Sequence, residues 1–450
     1  MSSHGSHAVV MGGSIGGLVA ARVLASRFDR VTVLDRDELP DDGRDRRGVP
    51  QAGHAHTLLV KGRQTLEELF PGVTDELLDG GAVPFDMGRD TLFHHGGHRR
   101  IRFHSGLRLV TMSRPFLERT LRRRVRAQPH VDVRERTAVQ GLLGTADRIT
   151  GVVVEGGETI RADLVVDATG RGSSRTDRWL KELGCPTPEE SSIRIDVGYT
   201  TRLYRREAAE LPGRSLAYVF TGVPPHDKRA VAVAPIEGDR WIVTLGGWHR
   251  ANAPVGAEGF ERFAAGLPLE HVAELLATTE PVEDGDARRF TAPTARRRHY
   301  ERLAAPPAGF VALGDAICSF NPFYGQGMTV AILEAVRLGR CLDRYGAASP
   351  RLPRAYFREV AEVIDMPWQL STGSDFMYPE TVGRRPRGHA LRTWYVGKVV
   401  RASHVSARIH RMLLEVTSLL ARPSVLFRPG TVVRALWAAR RARLTVPVTG

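Results

Sequence analysis

Apolar positions along this chain come in short runs broken by glycine and proline, and the runs predict the elements. Ala8–Met11 reads as a buried strand, Leu18–Leu24 carries apolar residues at helical spacing, and Val31–Leu34 reads as a second strand ending at Asp35. The turn between the first strand and the helix is Gly12-Gly13-Ser14-Ile15-Gly16-Gly17, so the opening predicts a βαβ unit. Residues 151–175 predict a hairpin feeding a strand that ends at Asp167-Ala168-Thr169-Gly170. A third apolar run stops at Gly314-Asp315, and Pro322, Gly325 and Gly327 follow before the pattern turns helical. The stretches SIRIDVGYTTRLYR, SLAYVFTGV, AVAVAPIEG and RWIVTLGG lie between Gly/Pro turns and predict an antiparallel sheet, with a further hairpin in TLFHHGGHRRIRFHSGLRLV. Residues 346–450 read as mostly helical, SARIHRMLLEVTSLLA being amphipathic and TVVRALWAARRARL basic.

At 450 residues two interlocked domains are expected. The pattern predicts a discontinuous nucleotide-binding domain from residues 1–80, 106–190 and 285–345. A β-rich substrate domain takes 81–105 and 191–284, and a helical region takes 346–450. The final helices are expected to pack on the nucleotide-binding domain rather than dock on a membrane.

The net charge of +14 comes almost wholly from arginine, the lysines being Lys61, Lys181, Lys228 and Lys398. Basic residues are spread along the chain rather than gathered into one stripe interleaved with aromatics, which argues against nucleic acid; an acidic carrier protein or an anionic membrane surface stays open as a partner. Cys185, Cys318 and Cys341 are far apart and form no CxxC pair, so a disulfide framework or zinc site is not expected and a reducing cytoplasm is. The stretch MSSHGSHAVVMGG lacks the pattern of a secretion leader, and no run reaches the ~18 apolar residues that span a bilayer.

Candidate chemistry begins at the first turn. Small residues there let backbone N–H groups approach a pyrophosphate at a helix N-terminus, and an acid at the tip of the second strand is placed to accept ribose hydroxyls. Against G-x-G-x-x-G the positions are Gly12, Ser14 and Gly17, with Gly13 and Gly16 adding to the clearance. Asp35, followed by Arg36, disfavours a 2′-phosphate, so the dinucleotide is NAD or FAD rather than NADP. His54/His56, His94/His95 and His98 lack a convergent carboxylate or Cys partner, and turn or cofactor-contact roles are expected of them rather than metal binding.

The three marks, in this order and spacing, resemble flavoprotein monooxygenases of the aromatic-hydroxylase and squalene-epoxidase type. Gly314, Asp315, Ala316, Pro322, Gly325, Gly327 and Met328 match the epoxidase pattern GDA…P…G.GM, and RRGVPQAGHAHTLL and PWQLSTGSDF resemble bacterial polyether (polyene) epoxidases. The resemblance implies an α/β fold: a Rossmann-like FAD-binding domain, an inserted antiparallel-sheet substrate domain and a C-terminal helical region. It implies that Asp315 bonds the flavin ribitol, that Gly325–Met328 offer N–H groups to the pyrimidine edge, and that Arg47, Arg114 and Val139 contact the cofactor. Phe320, Phe323 and Tyr324 become candidates for the substrate chamber. The implied reaction is epoxidation of a hydrophobic secondary metabolite, polyene-like and open to being carrier-tethered, by O2 through a flavin C4a-hydroperoxide; it needs no side-chain nucleophile. Phenol hydroxylation is the near alternative, an isoprenoid double-bond reductase a second, and a flavin-free binder of lipidated partners a third. Many aromatic hydroxylases carry DG where this chain has Thr169-Gly170, so NAD(P)H supplies electrons directly or through a separate flavin reductase. Trp241 and Trp248 do not have the spacing of the tryptophan-halogenase motif, which argues against halogenation.

Overall fold

The computed structural model describes residues 5–42, 46–207, 216–268, 270–282 and 287–445; the expected boundary at 284/285 lies outside the described residues. Five of the apolar runs assemble into one parallel sheet in the order Phe310–Ala312, Leu164–Asp167, Gly5–Met11, Phe28–Leu34, Val131–Arg134. Ala8–Met11, Leu164–Val166 and Val311–Ala312 are wholly buried, which is why these strands read as continuous apolar runs rather than alternating ones. The helices Ile15–Leu24 and Gly327–Tyr345 pack against each other over this sheet. An antiparallel three-stranded sheet, Val139–Gly144, Ile149–Val154 and Thr159–Arg161, buries Ile149, Val152 and Val154 in the same core.

The register of the parallel strands decides where a ligand can lie. Met11 is level with Leu34 on one side and Asp167 on the other, and Asp167 is level with Ala312. The glycine turn, Asp35, Ala168-Thr169-Gly170 and Gly314-Asp315 therefore leave the sheet along one edge, the carboxyl edge, outside which open α/β sheets bind ligands.

The second sheet has eight strands in the order Cys318–Ser319, Arg288–Arg298, Glu190–Arg205, Arg240–Gly247, Arg229–Ile236, Ala217–Thr221, Thr91–His95, His98–Arg99. Its pairs are antiparallel apart from Ala217–Thr221 with Thr91–His95. Along it Val231, Val233, Trp241, Val243 and Leu245 pack with Phe260, Ala264, Val272 and Leu275 of the helices Ala257–Ala265 and Glu270–Thr278. The alternate positions face the other way: Thr201 and Thr244 share a 2.7 Å hydrogen bond and hold His54 and the amide of Ala55.

The helix Leu352–Asp375 ties the two halves together. Its Tyr356, Phe357, Val360 and Ile364 sit in the parallel-sheet core, and the chain leaving it places Phe376 and Tyr378 among the side chains of the second sheet. Three further helices, His389–Ala402, Ala407–Thr417 and Pro429–Thr445, complete the fold. Cys185, Cys318 and Cys341 are buried thiols. Among the described residues no helix is long and apolar enough to cross a membrane.

Candidate functional site

The carboxyl edge of the parallel sheet is cleared backbone. Gly12 has φ +106°, and a Cβ there would lie 2.5 Å from the Ala168 carbonyl oxygen; at Gly17 it would lie 1.8 Å from the Gly12 carbonyl oxygen. At Gly16 it would meet Leu313 at 2.9 Å, so the bare residue lets the first helix close on the Phe310–Ala312 strand. No acid stands in the first turn of that helix, whose free N–H groups and dipole favour an anion.

Around this turn runs a chain of charged groups. Asp35 accepts from the Gly13 amide (2.7 Å), from Asp37 N (2.9 Å) and from Arg46 (2.8 Å). Arg46 also donates twice to Glu118, which accepts from Ser14 Oγ at 2.9 Å. Arg114 donates to Ser14 Oγ (3.0 Å) and approaches His56 Nε2 (3.3 Å). The serine that replaces the middle glycine of the fingerprint is thus a junction of this network. Burial works against the Arg46 charge, but Glu118 and Asp35 outweigh it and hold the guanidinium protonated. Desolvation and Arg114 push His56 down to about 3 and burial pushes His54 down to about 4, so both imidazoles are neutral at pH 7.

Several sequence candidates move. The arginine that reaches Asp35 is Arg46, whereas Arg47 is exposed. Arg36 is exposed, its Nε 3.9 Å from Asp37 Oδ1. Val139 is half-buried against the parallel-sheet core, close to Asp35 through the bond from Thr137 N to Asp35 O. Phe320 is buried in the parallel-sheet core, whereas Phe323 and Tyr324 are partly exposed.

At Gly314-Asp315 the chain makes a single 3-10 turn, and Asp315 stays a third exposed, its Oδ2 3.7 Å from Arg171 Nε. Pro322–Tyr324 form another such turn, closed by Gly325 at φ +61°, and the helix Gly327–Tyr345 follows with no acid in its first turn. Thr169, at the place of the hydroxylase aspartate, turns its hydroxyl back onto Asp167 (2.6 Å).

Two buried acids that no local pattern marks support this loop. Glu334, fully buried, accepts from the Gly314 amide at 2.5 Å, and burial pushes its carboxyl up to about 8. The group is therefore neutral in the fold at pH 7 but ionised once unfolded. A folded-state value above the unfolded one contributes stability fully present below about 4.5 and lost as pH rises toward 8. Glu334→Gln, which keeps the acceptor, is expected to lack that loss: the unfolding free energy of the wild type minus that of the variant, from denaturant melts, should fall with rising pH across this window.

Asp375, at the end of the Leu352–Asp375 helix, is fully buried. Its Oδ1 accepts from Trp248 Nε1 (2.8 Å), Asn321 Nδ2 (2.7 Å) and Tyr324 Oη (3.3 Å), while Oδ2 has no partner. Burial raises the carboxyl to about 7, its three donors opposing. Rings surround it: Trp248 lies 4.8 Å from Phe323, Phe323 5.7 Å from Tyr199, and Tyr199 5.4 Å from Phe290, which Arg171 covers from 5.8 Å. An aromatic wall thus reaches from Asp315's neighbour Arg171 to Asp375.

A family model described as FAD binding domain matches residues 6–369. The chain belongs to the FAD-binding domain family. Protein Rv3254 of Mycobacterium tuberculosis (strain ATCC 25618 / H37Rv) is 33% identical over 390 residues, 83% of this chain and 80% of that protein. Among solved structures, the flavoprotein/dehydrogenase from Cytophaga hutchinsonii is similar with a TM-score of 0.68 and 16% identity, over 98% of this chain and 99% of that one. The flavin-dependent brominase Bmp2 gives 0.68 and 12%, over 98% and 100%. PqsL of P. aeruginosa in complex with 2-aminobenzoylacetate gives 0.60 and 19%, over 83% and 98%. At these identities the structures share the fold, brominase included.

The residues present fit FAD. The glycine cradle that a Cβ would fill, an acid at the second strand tip and a partly exposed acid beside a second bare turn lie along one edge.

Proposed function

We propose that the protein is a monooxygenase that inserts one atom of O2 into a hydrophobic unsaturated small molecule, with alkene epoxidation as the reaction. In this reading Gly12–Gly17 and the helix N-terminus hold the FAD pyrophosphate, Asp35 the adenosine ribose, Asp315 the ribitol, and the Gly325–Met328 amides the pyrimidine edge. FAD, once reduced, supplies O2 activation and an electrophilic oxygen. The protein's part is to bind FAD, to lay the alkene against Tyr199, Phe290, Phe323 and Trp248, and to keep water out. That ring wall beside the bare turn is the observation that carries the reading. With Thr169 engaged by Asp167, we assign electron delivery to a separate flavin reductase using NAD(P)H.

One observation favours a second reading, hydroxylation of a phenol. Asp375 Oδ2 is a buried acceptor without a donor, and a substrate hydroxyl would supply one and pass its proton to a carboxylate with a near-neutral pKa. Turnover under 18O2 with reductase and NADH, offering an apolar polyene and a naphthol, separates the readings. Epoxidation puts one labelled atom into the polyene and is indifferent to Asp375→Asn. Hydroxylation labels the naphthol and falls about 100-fold or more in that variant. A polyene that returns saturated and unlabelled would sink both readings in favour of a double-bond reductase.

A further inference from the structure

Basic residues are spread along the chain, but net charge is not. Residues 381–450 carry 14 Arg and Lys against one acid, Glu415, whereas the preceding 380 residues carry 50 against 49. Nearly all of the net +14 thus resides in this last segment, and neither of its helices His389–Ala402 and Pro429–Thr445 contains an acid.

Those two helices also leave large apolar side chains uncovered. They pack together through Tyr395, Val399, Ala435, Ala438 and Ala439, and turn Leu391 (71% exposed), Trp394 (53%), Val433 (68%) and Trp437 (61%) outward. Leu391, Trp394 and Lys398 follow one another at helical spacing, as do Val433, Trp437 and Arg441. Lys398 Nζ lies 5.4 Å from the Trp394 ring and Arg441 Cζ 4.6 Å from the Trp437 ring. Phe427, 46% exposed and just before the second helix, places its ring 5.0 Å from Tyr395 of the first. The segments thus pack on one another, through one face only.

We propose that this surface binds the anionic face of a lipid bilayer peripherally. Indole rings settle at the headgroup level, branched aliphatics gain by leaving water for the acyl boundary, and Arg and Lys beside them neutralise lipid phosphates. A nucleic acid or an acidic protein would satisfy the charge but would leave Leu391 and Val433 without apolar cover, so the lipid surface accounts for both halves of the pattern. The inference stands on the surface alone and is independent of the reaction proposed above.

The test is co-sedimentation of the purified full-length holoprotein with phosphatidylglycerol/phosphatidylcholine vesicles and with pure phosphatidylcholine vesicles. Binding should favour the anionic vesicles and weaken as salt rises above about 0.1 M. Trp394→Ser/Trp437→Ser and Arg434→Glu/Arg440→Glu should each lower it about tenfold or more, with flavin content and melting temperature unchanged as the control for folding. No pelleting with anionic vesicles at about 0.1 M salt overturns the proposal. So does pelleting that the tryptophan pair does not affect, which would mark a purely electrostatic partner such as nucleic acid. A dimer in light scattering that the tryptophan substitutions dissociate, without vesicle binding, assigns the face to a second copy and also overturns it.

Discussion

Asp315→Ala is expected to purify without its flavin and to bind added FAD roughly 10- to 100-fold more weakly than the wild type. The magnitude follows from losing a hydrogen bond to a charged acceptor, about 1.5–3 kcal/mol, at about 1.4 kcal/mol per tenfold. The side chain does little for the fold itself: it is a third exposed, and its nearest charged neighbour, Arg171, is 3.7 Å away. The FAD-free variant should therefore melt within about 0.5 kcal/mol of the FAD-free wild type, while the stabilisation that FAD adds should shrink in proportion to lost affinity. Fluorescence titration of FAD together with paired melting curves checks both halves. A variant that keeps its pigment would show that the carboxylate is not the group that holds the cofactor.

Substitution along the first turn should give a graded series, because the glycines are not equivalent. Gly17→Ala places a methyl group 1.8 Å from the Gly12 carbonyl oxygen, a backbone atom fixed by the strand it ends. The start of the helix must shift off the sheet, and the expected cost lies at or above the top of the ~1–3 kcal/mol typical of overpacking, with FAD binding lost. Gly16→Ala meets only the end of the Leu313 side chain, at 2.9 Å, which a rotamer change relieves. It should fold and retain FAD. Denaturant melts and flavin absorbance of the two purified variants decide the matter; equal behaviour would mean that clearance at the turn does not govern binding.

The two variants probe what was visible in the chain before folding. The cofactor edge was legible because its chemistry is local: glycines, a strand and a terminal acid fall within thirty-odd residues, and period and turn residues reveal them without knowledge of what they touch. The α/β fold and antiparallel sheet followed for the same reason. What escaped depends on distant pairs. Trp248 and Asp375 are 127 positions apart, and nothing near either predicts that an indole N–H meets a carboxylate. Glu334 sits in an ordinary-looking helix, and only the fold shows that it receives the Gly314 amide. Arg46 and Arg47 are identical to any pattern, and only the fold shows which points at Asp35. Phe320 and Phe323 differ in the same way, one in the core and the other against Trp248. A count of basic residues over the whole chain likewise concealed that one segment holds nearly all the excess.

The strand order of the parallel sheet has a consequence for how the protein is made. Its outermost member, Phe310–Ala312, emerges from the ribosome more than three hundred residues after Gly5–Met11, and the Gly314-Asp315 turn comes later still. Until then a nascent chain owns the half of the cradle that fits adenosine but nothing that fits the isoalloxazine end. On the proposed assignment of Asp315 to the flavin, pigmentation is a late event in biosynthesis: ribosome-stalled chains ending near residue 300 should stay colourless in FAD, whereas chains long enough to expose residue 345 should turn yellow.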